Sequence, residues 1–144
     1  MGKRYAVIVT GDRNATYGEW AGIIGDALSG AHPDENELIV IHGGSTGIDS
    51  LAAKVIEEAW PLIPTLAFHD KHELYRAAAA RGEYAAEIER NADMLSVLLD
   101  FRDAGYDVRV LAFHNYLDNS KGTANMVKQA RIANVPVKVF RSRE

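Results

Sequence analysis

The sequence predicts an α/β fold, a single Rossmann-like three-layer α/β/α domain over residues 1–144 with a parallel five-stranded sheet. Three observations predict it. Short apolar runs alternate with amphipathic helical stripes along the whole chain. The first run, Tyr5–Thr10, is continuously apolar, the pattern of a strand covered on both faces. Three stretches then pair a strand-like run with small polar residues that open a helix: Val7–Arg13, Leu38–Asp49 and Val108–Thr123. In parallel sheets such turns gather at the carboxyl edge, where this architecture binds ligands.

The elements follow in order. Thr16 with Glu19 three residues on makes a capping box, so a helix starts there, with Trp20, Ile23, Ile24, Ala27 and Leu28 on one face. Gly30 to Glu37 marks a turn. Leu38–Ile41 is the second strand, and Ile48, Leu51, Ala52, Val55 and Ala59 form the stripe of the second helix. Pro61 ends that helix. Leu62–Phe68 holds a third strand, paired over Thr65–Phe68 because Pro64 cannot donate to a ladder. Segment 69–82 is Ala-rich without a cap or stripe. From Glu83 a helix carries Ile88, Ala92, Leu95 and Leu99 on one face and ends before Gly105, a C′ glycine. Asp107–Phe113 is the fourth strand. Ser120 caps a last helix with Met126, Val127 and Ala130 inside; Asn134 and Pro136 stop it, and Val137–Phe140 is the fifth strand. Right-handed crossovers with one reversal put strand 1 beside strand 4, so the turns after them flank a crevice, with the turn after strand 2 next to it.

Composition narrows the functions. At 144 residues the chain can bury roughly 70% of its unfolded surface. No window of 18 apolar residues predicts a membrane span, and the start of the chain runs into a strand rather than a signal peptide. The absence of cysteine excludes disulfides, thiolate catalysis and cysteine zinc sites, and fits a cytoplasmic location. A net charge of −4 and a pI near 5.7 disfavour nucleic acid as a partner, since such binding rests on a basic surface. A small anionic ligand stays open, because a helix N-terminus outweighs a modest global charge locally.

Candidate ligand-binding residues lie on the three turns. Gly43, Gly44 and Gly47 let the backbone turn sharply, and Ser45 and Thr46 offer a cap and hydroxyls. The loop is neither a Walker A loop nor GxGxxG. Asp49, in the first turn of the second helix, either complements its dipole or bonds a ribose hydroxyl. Gly11, Asp12 and Arg13 follow strand 1. Arg13 can fork onto a phosphate, or form a solvated turn pair with Asp12; the switch-point location favours the first. Lys121, Gly122, Thr123 and Asn125 open the last helix, where a glycine implies a packing or ligand reason. Arg90 and Asn91 interrupt an aliphatic helix, and Arg90 on residue type alone pairs with Glu87 or Asp93. His69 and His72 have a metal-compatible spacing, but no metal site and no cofactor are assigned. His42 and His114 end strands 2 and 4, as acid–base groups or as hydrogen-bonded strand ends.

These blocks resemble the SLOG superfamily, the Rossmann-like group containing Smf/DprA proteins and LOG cytokinin-activating enzymes, and most of all its small YspA/YpsA-related branch. The matching pieces are VTGDR at 9–13, IVIHGGSTGIDSLAA at 39–53, RNADML at 90–95 and KGTANMVKQARIANVPVKVF at 121–140. The resemblance implies a nucleotide-related ligand at Gly43, Gly44, Thr46, Gly47, Asp49, Gly122 and Thr123, an inward-looking Arg90–Asn91 pair, and self-association, with a dimer the simplest form. Two departures stand out. Met126 occupies the place of the catalytic Glu in the LOG signature, and a thioether cannot exchange a proton. Segment 69–82 lacks the tryptophan-containing pattern of related proteins.

The leading expectation is therefore a module that senses or sequesters a nucleotide or nucleotide derivative, such as an ADP-ribose-like molecule. The alternative is a nucleotide hydrolase acting on an N-glycosidic bond, with Asp49, His42, His114 or Asp12 replacing the missing Glu. A DprA-like DNA-binding role is the least favoured, given the acidic balance.

Overall fold

Strand β1 (Arg4–Gly11) buries five residues in a row, Tyr5 to Val9, which requires helices on both faces of the sheet. Its side chains alternate between two cores. Tyr5, Val7 and Val9 pack with Trp20, Ile24 and Leu28 of α1 (Tyr17–Ala31) and with Ile48, Ala52 and Val55 of α2 (Ile48–Ala59). Ala6 and Ile8 pack on the other side with Met94 and Leu98 of α4 (Glu83–Asp103) and with Met126 and Ala130 of α5 (Lys121–Ile132). The computed structural model describes residues 3–31 and 37–143.

The sheet contains five parallel strands in the order β3-β2-β1-β4-β5, with β2 at Glu37–His42, β3 at Thr65–Ala67, β4 at Asp107–Phe113 and β5 at Val137–Phe140. The predicted fold class and the pairing of strands 1 and 4 both hold. Val9 lies opposite His42 on one side and Leu111 on the other, and Gly11 lies opposite Phe113. The three central strands therefore end nearly level, and their following turns converge.

Most boundaries fall within a residue or two of the expected ones. Helix α1 begins after Thr16, whose carbonyl accepts from the Trp20 N–H, while Glu19 extends to Arg143 at 3.1 Å. The expected turn from Gly30 differs, because α1 runs through Gly30 to Ala31; residues 32–36 lie outside the described residues. Pro64 precedes the paired part of β3, as its missing N–H requires, and its carbonyl accepts from Val40. Segment 69–82 forms a 3-10 turn at Glu73–Tyr75 and the short helix α3 (Arg76–Ala79), seated on α4 through Tyr75, Ala78 and Ala86. Helices α4 and α5 both end in Schellman turns. Gly105 and Tyr106 bond back to Arg102 and Phe101, and Asn134 and Val135 to Arg131 and Ala130. Gly105 and Asn134 have the positive φ that this closure needs.

Two helical faces differ from expectation. In α2, Ala59 is exposed and Ile56 is buried instead. In α4 the inward residues are Glu87, Arg90, Asn91, Met94, Leu95 and Leu98, while Ala92 is exposed and Ile88 and Leu99 are half-buried. The stripe that faces inward is polar in the N-terminal half of α4 and apolar in the C-terminal half. An all-apolar template therefore selects a face rotated from the true one.

Candidate functional site

Strand β1 ends at Gly11, where a Cβ would stand 2.3 Å from the Phe113 carbonyl oxygen and 2.7 Å from Ile48. Only a glycine lets β4 and α2 close around this strand end. Asp12 then ties the two together: its N–H donates to Phe113, its carbonyl accepts from the Ile48 N–H at 3.0 Å, and its carboxylate accepts from the Asn14 N–H at 2.8 Å. Asp12 thus anchors the turn and does not line the hollow beyond it.

The turn between β2 and α2 spends the N–H groups of Gly43, Gly44 and Ser45 within itself. Asp49, 5% exposed, accepts through Oδ2 from the N–H groups of Gly43 and Ser45 and from the Ser45 hydroxyl at 2.8 Å. Gly44 donates to His42 Nδ1 at 3.0 Å. The space in front of the glycines is filled by the chain itself. A Cβ on Gly43 would meet the Arg90 guanidinium, one on Gly44 the His69 ring, and one on Gly47 the Asp12 and Arg13 backbone. The Thr46 hydroxyl donates to the Arg13 carbonyl at 3.2 Å.

Helix α4 supplies the inner wall. Arg90, 6% exposed, donates from Nη1 to the Gly43 carbonyl at 3.0 Å and from Nε to Asn91 Oδ1 at 3.1 Å, with a long contact to the Phe68 carbonyl. Asn91 donates to the Gly122 carbonyl at 3.1 Å and to Asn125, which also accepts from Gln129. The pair thereby links the β2–α2 turn to the start of α5. Arg90 makes no ion pair with Glu87 or Asp93 among the described residues. Glu87 binds Arg13, and Asp93 accepts from the Tyr75 hydroxyl at 2.7 Å.

The start of α5, unlike that of α2, has a side-chain cap. Ser120 Oγ accepts from the Thr123 N–H, and Ala124 bonds the Ser120 carbonyl. The N–H groups of Lys121 and Gly122 have no partner among the described residues. Both residues line a hollow of about 200 Å³, together with Thr10, Gly11, Arg13, Ser45, Asp49, Glu87, Arg90, Ser120 and Thr123. A second hollow of about 190 Å³ shares Arg13 and Ser45 with it and adds Gly44, Thr46, His69, Asp70, Lys71 and Glu83.

Of the sequence-selected residues, Gly11, Arg13, Ser45, Asp49, Arg90, Lys121, Gly122 and Thr123 line the first hollow, and Gly44 and Thr46 the second. Asp12, Gly43, Gly47, Asn91 and Asn125 line neither hollow and hold the turns in place. His42 and His114 close strand ends, their Nδ1 atoms accepting from Gly44 and Tyr116. Met126 is fully buried in the core under α4 and α5. Arg13 does not stand free for a phosphate: Glu87, Glu83 at 3.4 Å and Asp70 at 3.6 Å surround it. Those three carboxylates bring oxygens within 4.8 Å of one another, a spacing that suits a cation, and the Arg13 guanidinium supplies the cationic charge.

Sequence reasoning missed Asp70, Lys71 and Glu83 as lining residues, and above all Glu87. Its signal was its place on α4, three and four residues before Arg90 and Asn91 and hence on their face. Burial, reinforced by Asp70 and Glu83, raises its carboxyl above the usual range, against the pull of Arg13 and Arg90. Burial likewise raises Asp49, opposed by the Ser45 hydrogen bonds, His42 and Arg90. His42 is shifted down, mainly by burial and further by His69 and Arg90, with Asp49 opposing. Its neutral form also suits Nδ1 as an acceptor.

His42 titrates below its ordinary 6.5 in the folded chain, so its contribution is complete above that value and is lost as pH falls through it. Asp49 and Glu87 are shifted up and act with the opposite sign, so the informative quantity is a difference between variants. His42→Asn keeps an acceptor for the Gly44 N–H and removes the titration. Urea midpoints at about pH 7.5 and about pH 5 are expected to show wild type losing stability relative to His42→Asn on acidification. A constant difference between the two proteins would sink this account.

No family model, curated protein or solved structure matches the chain.

Proposed function

We propose that the chain binds a phosphate-bearing, nucleotide-derived small molecule in the hollow at the carboxyl edge of the sheet, as a sensor or sequestering module. The observation that carries this reading is a set of unspent donors facing one hollow. Arg90 is buried, yet its Nη2 has no partner among the described residues, and the N–H groups of Lys121 and Gly122 are free beside it. A buried cation beside a helix N-terminus suits a phosphate. The Ser45 and Thr123 hydroxyls and the Glu87 carboxylate suit a sugar. Each hollow alone is smaller than ordinary ligand sites of about 300–1000 Å³. The two adjoin at Arg13 and Ser45, and together they suit a nucleotide. The SLOG-like blocks in the sequence point the same way.

Glycosidic hydrolysis is the second reading. Asp49 is engaged by three donors, both strand-end histidines have used Nδ1, and position 126 is a buried Met. Glu87 Oε2, which accepts no hydrogen bond among the described residues and fronts the first turn of α5, is the carboxylate oxygen this reading would use. DNA binding is disfavoured by the acidic cluster of Asp70, Glu83 and Glu87 along the two hollows. The dimer implied by the resemblance has the open edge of β3 as its candidate surface, where Thr65–Ala67 are exposed.

The test is a thermal-shift and calorimetry panel of nucleotides, dinucleotides, ADP-ribose and cyclic species. A true ligand at about 100 times its Kd adds about 2.7 kcal/mol of stability. Saturable binding that Thr123→Val weakens, with the ligand recovered unchanged, is the expected result. No saturable binding across the panel would overturn the reading, and recovery of base plus sugar phosphate would replace it with hydrolysis.

A further inference from the structure

We infer that the hollow selects a singly charged phosphodiester, such as the internal phosphate of a dinucleotide-like ligand, over a terminal phosphate monoester, and that Glu87 sets this choice. The inference rests on the binding reading above and specifies its ligand class. Glu87 is 8% exposed, and one carboxylate oxygen binds Arg13. The other, Oε2, accepts no hydrogen bond among the described residues and stands 2.5 Å from where a Cβ on Gly122 would be. It fronts the first turn of α5, beside the N–H groups of Lys121 and Gly122, which have no partner among the described residues. A phosphate seated on those donors lies against this carboxylate.

The charges around that seat decide the ligand. Arg13, from the β1–α1 turn, is taken up by Glu87, Glu83 and Asp70. Lys121, on the exposed rim, lies 5.7 Å over the Tyr84 ring. The buried cation with a donor to spare is Arg90; with the roughly half charge of the helix N-terminus it supplies about one and a half positive charges, part of which the buried Asp49 carboxylate already draws on, so room is left to balance about one negative charge. On the opposite wall Gly43 and Ser45 of the β2–α2 turn give their N–H groups to Asp49, a further carboxylate. A phosphodiester carries one charge, whereas a monoester carries about −1.5 to −2 near neutral pH. The second charge faces Glu87 in a partly desolvated hollow, where like charges in contact are penalised heavily. Esterification removes that charge and leaves oxygens for Arg90 and the helix.

The experiment compares the four ribonucleoside 5′-monophosphates with their methyl phosphodiesters by calorimetry, on wild type and Glu87→Gln. At about pH 8 the methyl esters are expected to bind wild type about tenfold more tightly than their parents. The gap should close at about pH 5.5, where the monoester takes up its second proton, with a pKa of about 6. Glu87→Gln should narrow the gap at the higher pH by tightening the monoesters. Monoesters that equal or exceed their esters in wild type would overturn the inference and leave the binding reading intact. So would an unchanged gap in a folded Glu87→Gln. If Glu87→Gln does not fold, the pH comparison on wild type decides alone: a gap that persists at the lower pH overturns the inference. Failure of both ligand classes to bind would overturn the binding reading itself.

Discussion

Gly47→Ala is expected to lower folding stability by about 4 kcal/mol. Backbone strain contributes about 1–3 kcal/mol, because Gly47 has φ +74 and ψ −130, a region entered essentially by glycine alone. Overpacking adds about 1–3 kcal/mol, since the new Cβ would stand 2.1 Å from the Asp12 carbonyl oxygen and 2.4 Å from the Arg13 carbonyl carbon. Those atoms cannot rotate away. The Asp12 N–H and carbonyl are held by Phe113 and Ile48, which join the end of β1 to β4 and α2. Against a typical total of about 5–15 kcal/mol, the variant sits near its threshold. Gly22→Ala is the matched control. It lies on the exposed side of α1 with nothing within 4 Å, and is expected to gain about 0.5–1 kcal/mol from helix propensity. Urea unfolding of both variants checks the pair, and similar shifts in the two would contradict the packing account.

The same residues mark where sequence reading succeeds and where it stops. Continuous apolar runs and the Ser120 cap placed β4, β5 and α5 within a residue, because burial on two faces and helix capping are local demands. The three convergent turns were legible for the same reason. What each glycine is for was not. Gly43, Gly44 and Gly47 look in sequence like a cradle for a ligand, yet Arg90, His69 and the β1–α1 turn occupy the space before them. Sequence spacing cannot distinguish a backbone approached by a ligand from one approached by its own chain. Nor could it assign Arg13 to Glu83 and Glu87, seventy and seventy-four residues away. The face of α4 was hidden because its inward stripe changes from polar to apolar along its length.

Arg90→Leu is expected to abolish ligand binding and to cost about 3 kcal/mol of stability. The side chain spans the hollow's inner wall, so its loss leaves the Gly43 carbonyl and Asn91 Oδ1 without their donors. The buried Asp49 carboxylate also loses a positive neighbour that favours its ionised form. That last effect has a sign. The Asp49 carboxyl is already raised in the folded chain, and without Arg90 it rises further. A group raised on folding contributes stability at low pH and loses it as pH climbs through the folded value. The penalty for Arg90→Leu should therefore be larger at about pH 8 than at about pH 5. Arg90→Lys separates charge from geometry. Lysine keeps the cation near Asp49 but not the planar fork that bonds Gly43 and Asn91 while leaving Nη2 free. It is expected to recover most of the pH-dependent part of the loss but little of the binding. Denaturant titrations of both variants at the two pH values, with calorimetry against the hits of the nucleotide panel, measure each part. A pH-independent penalty in Arg90→Leu would show that Asp49 does not depend on the guanidinium charge. Full binding by Arg90→Lys would show that a point charge suffices where Nη2 has been assigned the contact.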